Sequence, residues 1–398
     1  MKKWLSVAAI VVLCLALVVG IACGGGGEEE EEGVKEVKFG WGLPMTGIYG
    51  AVFLPSKQAL ELANEYIGEF TVAGEKYKWD LIFEDNGWTG AGGVASATKL
   101  IFEDGVNIMT QLGAESALAV QTICEEAGVI FFAGGLALDA LGPDKPHTFY
   151  GQTVGYANMA AFFKYVSEAY PEVKTASMVN EDTANGHEMA AQAAGAADYY
   201  GIEWLGAEFY PPGTSEFYPM ATKMVSKNPD LCYADLRNLQ PMREMGWEGI
   251  SFFFMWGSGN SDQYGWETVQ GYLVYYPAPF GEALPESLRP MAAEYEDRFG
   301  IEFGQLAYHY VMQLYWVTDA LKKAGTVDDV GQIMATLETE TLDTPMGPVK
   351  YGLSEIDGIG HLPIMPCWVG EIRDGEYHLV FEMSADEAEA LTAEIFRK

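Results

Sequence analysis

The sequence predicts an α/β protein of two parallel-sheet lobes built in series. Two observations carry this. Strand-like and helix-like periodicities alternate one for one from residue 34 onward, and that order belongs to a mostly parallel sheet covered by helices on both faces. The alternation also breaks near 147–152 and then restarts, so the pattern is made twice.

In the first half, 34–42 alternates apolar and polar residues and reads as a strand, which Gly42-Leu43-Pro44-Met45-Thr46-Gly47 ends. Residues 51–67 carry Leu54, Leu60, Leu62, Ala63 and Tyr66 at helical spacing. Strand 79–84, helix 90–102, strand 106–111, helix 116–127 and strand 129–133 follow, the last running into Gly134-Gly135. In the second half, helices are predicted over 158–170, 187–200 and 217–227, with strands over 175–180, 204–209 and 231–235. Pro241 opens a further helix to 246, and strands follow over 250–255 and 271–276. The C-terminal part mixes helices over 285–299, 306–324, 328–337 and 385–396 with strands over 349–351, 367–371 and 378–381. Asp374-Gly375 is a hairpin turn.

The N-terminus reads as an address. Met1-Lys2-Lys3 precedes an almost wholly apolar run from Leu5 to Ile21, and the small residue Ala22 precedes Cys23. That is a secretory signal over 1–22, and a cysteine at the cut resembles a bacterial lipoprotein signal. The resemblance implies lipid on Cys23 and a chain anchored to a membrane outside the cytoplasm. An uncleaved single anchor is the alternative, although the run is short of the about 20 apolar residues that a spanning helix needs. Residues 23–35, with four glycines and five glutamates in succession, form a tether that buries nothing and repels itself.

Composition narrows the function. The net charge of −34 excludes nucleic acid as a partner, because phosphate binding needs clustered Lys and Arg. Any anionic ligand must be held by local donors against the global field. Cys124, Cys232 and Cys367 lack metal-ligand spacing, so no metal is expected; a disulfide with one free thiol and three buried thiols both remain open. Catalytic motifs are missing. His187-Glu188 is followed by Met189-Ala190-Ala191 and makes no zinc helix, and Gly257-Ser258-Gly259 makes no nucleophile elbow. Neither a Walker loop nor a dinucleotide fingerprint is present, so neither enzyme activity nor a cofactor is expected.

Several stretches carry a family resemblance. They are Gly42–Gly47 with Tyr49, Glu84-Asp85-Asn86, Gly113-Ala114-Glu115-Ser116-Ala117, 124–129, 210–217, Asn228-Pro229-Asp230 and Tyr308-His309-Tyr310. In that order the chain resembles the periplasmic solute-binding proteins of branched-chain-amino-acid-type ABC importers, which have the type 1 binding-protein fold. The resemblance implies two Rossmann-like lobes joined by a three-strand hinge, lobe one over 36–153 plus 281–355 and lobe two over 154–280 plus 356–398. It implies a small-molecule solute held in the inter-lobe cleft, a membrane permease as partner and a monomeric receptor. A ligand-sensing domain reporting to a separate signalling protein is the alternative.

The candidate site follows from both readings. Gly113-Ala114-Glu115-Ser116 leaves a strand and starts a helix, so its free N–H groups and the helix dipole offer an anion site without Lys or Arg. Ser116 as a helix cap is compatible with this. Gly135 and Ala137 lie in the loop expected beside it. The resemblance places Tyr49 in the cleft and puts alanine, at Ala114 and Ala137, where amino-acid-binding members carry hydroxyls. Tyr156, Asn185 and Trp256 fall at second-lobe positions of the family's site, without an obvious carboxylate for an ammonium group. The ligand is therefore an amino acid or an aromatic or apolar acid that Tyr49, Tyr156 and Trp256 could stack on. Arg237 is placed to reach a second anionic group or to sit in a surface ion pair, and Asp235 is placed for the opposite role.

Overall fold

The computed structural model describes residues 33–135, 138–152, 155–256, 259–275 and 281–397. The expected signal, Cys23 and most of the expected tether lie outside the described residues. The order runs β1 (Lys35–Leu43), α1 (Gly47–Ile67), β2 (Phe70–Val72), β3 (Glu75–Asp85), α2 (Gly90–Thr98), β4 (Ile108–Leu112), α3 (Ala114–Ala127), β5 (Ile130–Gly134) and β6 (Thr148–Tyr150). It continues with α4 (Tyr156–Ala169), β7 (Thr175–Glu181), α5 (Ala184–Tyr199), β8 (Glu203–Tyr210), α6 (Tyr218–Lys227), β9 (Leu231–Tyr233), α7 (Leu236–Glu244) and β10 (Ile250–Phe253). Next come α8 (Gly259–Tyr264), α9 (Trp266–Val269), β11 (Leu273–Val274), α10 (Arg289–Phe299), α11 (Gln305–Ala324) and α12 (Val330–Thr339). The chain ends in β12 (Leu342–Thr344), β13 (Gly347–Gly352), α13 (Ser354–Asp357), β14 (Leu362–Ile364), β15 (Cys367–Arg373), β16 (Glu376–Met383) and α14 (Ala385–Phe396).

These elements build two main sheets. The first has the order β2-β3-β1-β4-β5-β6, and all its pairings except the β2–β3 hairpin are parallel. The second has the order β16-β15-β11-β10-β9-β7-β8, parallel from β11 to β8 and antiparallel where β15 and β16 return from the C-terminal segment. Strands β12, β13 and β14 form a small third sheet. In each main sheet the strand order reverses once, between β1 and β4 and between β7 and β9, and ligands of open α/β sheets bind at the carboxyl ends of strands beside such points.

The apolar periodicity explains the layers. Phe39, Trp41 and Leu43 on β1 are fully buried, and Trp41 meets the ring of Tyr310 on α11 edge-on at 6.0 Å. A Cβ at Gly42 on the other face would lie 2.0 Å from Oε1 of Gln111, so a larger residue where β1 runs beside β4 would force the Gln111 side chain to move. The chain passes between the main sheets three times: between β6 and α4, after β11, and between β14 and β15. The first two passages include 153–154 and 276–280, so the lobe limits expected there lie outside the described residues.

Sequence and structure differ locally. The strand expected at 79–84 begins at Glu75 and follows a hairpin whose turn, Ala73 (φ 50°) and Gly74 (φ 90°), uses two left-handed residues. Asp374 and Gly375 turn in the same way, as their dipeptide predicts. The helix expected from Pro241 starts five residues earlier, because Asp235 caps it by accepting the Asn238 N–H at 3.0 Å. Cys124, Cys232 and Cys367 are free and buried, and burial pushes all three thiols up, Cys232 and Cys367 to about 12. Among the described residues no helix is long and apolar enough to cross a membrane.

Asp85 fixes the loop that presents α1. Its carboxylate accepts the Met45 N–H at 2.8 Å, the Gly87 N–H at 3.0 Å and the Thr46 hydroxyl at 2.5 Å. Burial pushes this carboxyl up, but the bonds from Thr46, Met45 and Gly87 outweigh burial and hold it below its ordinary value. A depressed carboxyl contributes stability above its unfolded pKa and loses it as pH falls through the folded value. Thermal melts should therefore lose stability as pH falls below about 4, and Asp85→Asn should flatten that loss. Parallel profiles for the two proteins would contradict this.

Candidate functional site

A cleft of ≈ 530 Å³ lies at the carboxyl ends of both main sheets. That volume falls within the about 300–1,000 Å³ usual for small-molecule sites. Its first wall is aromatic. The β3–α2 turn puts Trp88 in a left-handed conformation (φ 58°), and Oδ1 of the preceding Asn86 accepts the Trp88 N–H at 2.9 Å. Trp88 then stacks with Tyr49 (centroids 4.8 Å, 29°) and with Phe53 (5.0 Å, 18°), both from α1.

Beside this wall lies the start of α3. No side chain caps that helix, and Ala114, its first residue, lines the cleft. A Cβ at Gly113 would lie 3.3 Å from the Trp88 ring, so the uncapped N-terminus and the aromatic wall are neighbours. Gly135 (φ 117°) closes the same corner. A Cβ there would stand 2.6 Å from the Ala114 nitrogen, and the Gly135 N–H donates to Oε1 of Gln152 at 3.1 Å. This corner can take an anion on backbone N–H groups with an apolar body against the rings. His309 also lines the cleft, and burial pushes its imidazole down to about 3, so it is neutral at physiological pH.

The second wall is polar. Glu181, at the end of β7, and Asp235, just past β9, face the cleft with Arg237 from α7. Nε of Arg237 donates to Oδ2 of Asp235 at 2.8 Å, Nη2 also bonds that oxygen, and Nη2 reaches the Tyr210 hydroxyl at 3.3 Å. The guanidinium lies over the Phe217 ring, 5.1 Å from its centroid. Burial lowers the pKa of Arg237, but the charge and hydrogen bond of Asp235 with the influence of Tyr210 and Glu181 together outweigh it, and the net shift is upward. The Tyr49 hydroxyl crosses the cleft to donate to Oε2 of Glu181 at 3.2 Å.

The structure brings together Tyr49, Ala114, Gly135, Asn185 and Arg237 on the cleft, and Ala137 lies outside the described residues. Glu115 is exposed and spans to the other wall, accepting the Ala184 N–H at 3.3 Å from the start of α5. Ser116 neither lines the cleft nor caps α3; it is buried and donates to the Thr89 carbonyl at 2.9 Å. Tyr156 is displaced from its expected place. It opens α4, meets the Phe396 ring edge-on at 4.8 Å, bonds Glu188, and lines a separate cavity of ≈ 20 Å³. Trp256 is 6% exposed with its ring 6.1 Å from that of Tyr272, while Phe253, Phe254 and Met255 reach the cleft instead, because β10 ends at Phe253 and not at 255. Arg237 does not stand ready for a second anion, because Asp235 already holds it.

Glu181 and Trp88 were missed from sequence. Glu181 is one of 57 acidic residues, and only the strand end marks it. Trp88 had a usable signal in Asn86-Gly87, a turn pair that holds the next residue in a fixed pose.

A family model of periplasmic binding proteins matches residues 36–376. No curated protein matches the chain closely enough to count as a relative. Among solved structures, the fold is similar to that of an ABC-transporter solute-binding protein of Rhodopseudomonas palustris in complex with 3,4-dihydroxybenzoic acid, at 19% identity over 88% of this chain and 98% of that one, TM-score 0.73. A leucine-binding protein of Thermotoga maritima is similar at 18% identity over 88% and 99%, TM-score 0.72, and a Rhodopseudomonas palustris solute-binding protein in complex with benzoate at 17% over 89% and 97%, TM-score 0.72. At these identities the likeness is one of fold. With its two-sheet architecture, the cleft at the strand ends and a family match over most of its length, the chain belongs to the periplasmic binding proteins, a family of extracytoplasmic solute receptors and not of enzymes.

Proposed function

We propose that this protein is the solute receptor of an ABC importer, held outside the cytoplasm through lipid on Cys23, and that it captures a small carboxylate with an aromatic or apolar body. The observation that carries the ligand class is the uncapped α3 N-terminus set against Trp88 and Tyr49. An anion on those N–H groups places its body on the rings, so one corner satisfies both ends of such a molecule. Neighbours in complex with benzoate, 4-hydroxybenzoate and 3,4-dihydroxybenzoic acid support this reading, as does a leucine-binding neighbour.

The two lobes close by backbone rotation at the three passages between them, and a ligand touching both walls shifts the population toward the closed form that the permease engages. The tether keeps the receptor at high effective concentration near that permease. Calorimetric titration with aromatic monocarboxylates and apolar α-amino acids should find at least one ligand of micromolar affinity or better, about −8 kcal/mol. A flat titration across both sets would reject the ligand class.

A further inference from the structure

The second wall carries an unbalanced charge. Arg237 contributes one positive charge, and Asp235 and Glu181 one negative charge each when ionised. Among the described lining residues there is no lysine and no second arginine. Asp235 is fully engaged: Oδ1 accepts the N–H and the Nδ2 of Asn238 at 3.0 and 2.8 Å, and Oδ2 takes Arg237. Arg237 and Asp235 therefore neutralise one another.

Glu181 is different. Its side chain accepts a single hydrogen bond among the described residues, the long one from Tyr49 at 3.2 Å, and Arg237 stands 3.9 Å away, beyond hydrogen-bond reach. A carboxylate offers about four lone-pair sites. Its side chain is 21% exposed and opens onto the cleft, so its remaining lone pairs face whatever fills the cleft. Burial pushes its pKa upward. An under-filled acceptor with excess negative charge, facing an anion-binding corner across one cleft, asks for a hydrogen-bond donor and repels a second anion.

We propose that Glu181 sets ligand specificity: the cleft takes a monocarboxylate whose far end carries a hydrogen-bond donor, an ammonium or a phenolic hydroxyl, and rejects dicarboxylates. This rests on the carboxylate-capture reading above. Arg237 lies in ion-pair contact with Glu181 at 3.9 Å and offsets part of its charge, while its hydrogen bonds go to Asp235 and Tyr210.

The test is a para-substituted series on one ring: benzoate, para-hydroxybenzoate, para-(aminomethyl)benzoate and terephthalate. Each is titrated into the wild-type chain, Glu181→Gln and Glu181→Ala, with folding checked by circular dichroism. At least one donor-bearing acid should bind wild type about tenfold or more tightly than benzoate, since a hydrogen bond to a charged acceptor carries that much, and terephthalate should bind more weakly than benzoate. Glu181→Ala should lose the donor advantage, and Glu181→Gln should improve terephthalate about tenfold. The hydroxyl and aminomethyl arms tell which donor the site takes. Terephthalate binding wild type as well as the donor-bearing acids would overturn the specificity claim and leave carboxylate capture standing, as would a donor advantage that survives in Glu181→Ala. Absence of binding across the series would overturn the specificity claim, and carboxylate capture would then be decided by the α-amino acids of the first titration.

Discussion

Asn86→Ala is expected to lower the unfolding free energy by about 3–5 kcal/mol. Asn86 is fully buried, and its side chain makes three hydrogen bonds to three segments. Nδ2 donates to the Gly42 carbonyl at 3.0 Å and to the Leu112 carbonyl at 2.7 Å, and Oδ1 accepts the Trp88 N–H at 2.9 Å. The ends of β1 and β4 and the turn carrying Trp88 are thereby tied at the point where the strand order reverses. Truncation orphans two carbonyls and one N–H, each at about 1–3 kcal/mol when buried. Water entering from the neighbouring cleft keeps the total in the lower part of that sum. Asn86→Asp keeps the bond from Trp88 but loses both donors and sets a carboxylate against two carbonyl oxygens, so it should recover nothing. Urea unfolding followed by tryptophan fluorescence measures both variants, and a loss under about 1 kcal/mol in Asn86→Ala would show that the three bonds carry little.

The layers of the fold were legible because they follow from periodicity. Phe39, Trp41 and Leu43 recur at a spacing of two, the period that sets side chains on one face of a strand, and all three are buried. Element starts were less legible where a polar cap decides them. α1 begins at Gly47, before its apolar face, because Asp85 organises the loop ahead of it from 40 positions away in sequence. α7 begins at Leu236 although Pro241 sits inside it: the Asp235 cap outweighs the N–H that proline removes.

The candidate site divides the same way. Its anion corner is local in sequence, and Ala114 and Gly135 were readable from strand, glycine and helix start. The polar wall is not local. Whether Arg237 is available depends on Asp235, which the sequence places two residues away without saying which way either side chain points. Tyr156 and Trp256 show the converse error. Both occupy the right stretch of chain, but each lies a residue or more past the point where its element changes, and the helix turn or strand end sends the ring into lobe packing.

Tyr49→Ala should weaken binding of the captured carboxylate by about tenfold or more while leaving the fold nearly as stable as before. The two effects separate because of where Tyr49 sits. It belongs to the first turn of α1, is half-buried, and stacks on Trp88, which also stacks on Phe53. Removing the Tyr49 ring therefore opens the cleft wall without opening the core. Aromatic anchors of this kind dominate binding energy because they bury large rigid area at little entropic cost. Tyr49→Phe divides the effect further. It keeps the stack on Trp88 and removes only the 3.2 Å bond to Glu181. The phenol of Tyr49 is pushed up to about 12, chiefly by burial and then by the charge of Glu181, so it remains a neutral donor across the physiological range. If the ring is the anchor, Tyr49→Phe keeps most of the affinity and Tyr49→Ala loses it. If both variants lose it equally, the hydroxyl bridge to Glu181 holds the walls together, and closure of the cleft, more than stacking, sets the affinity.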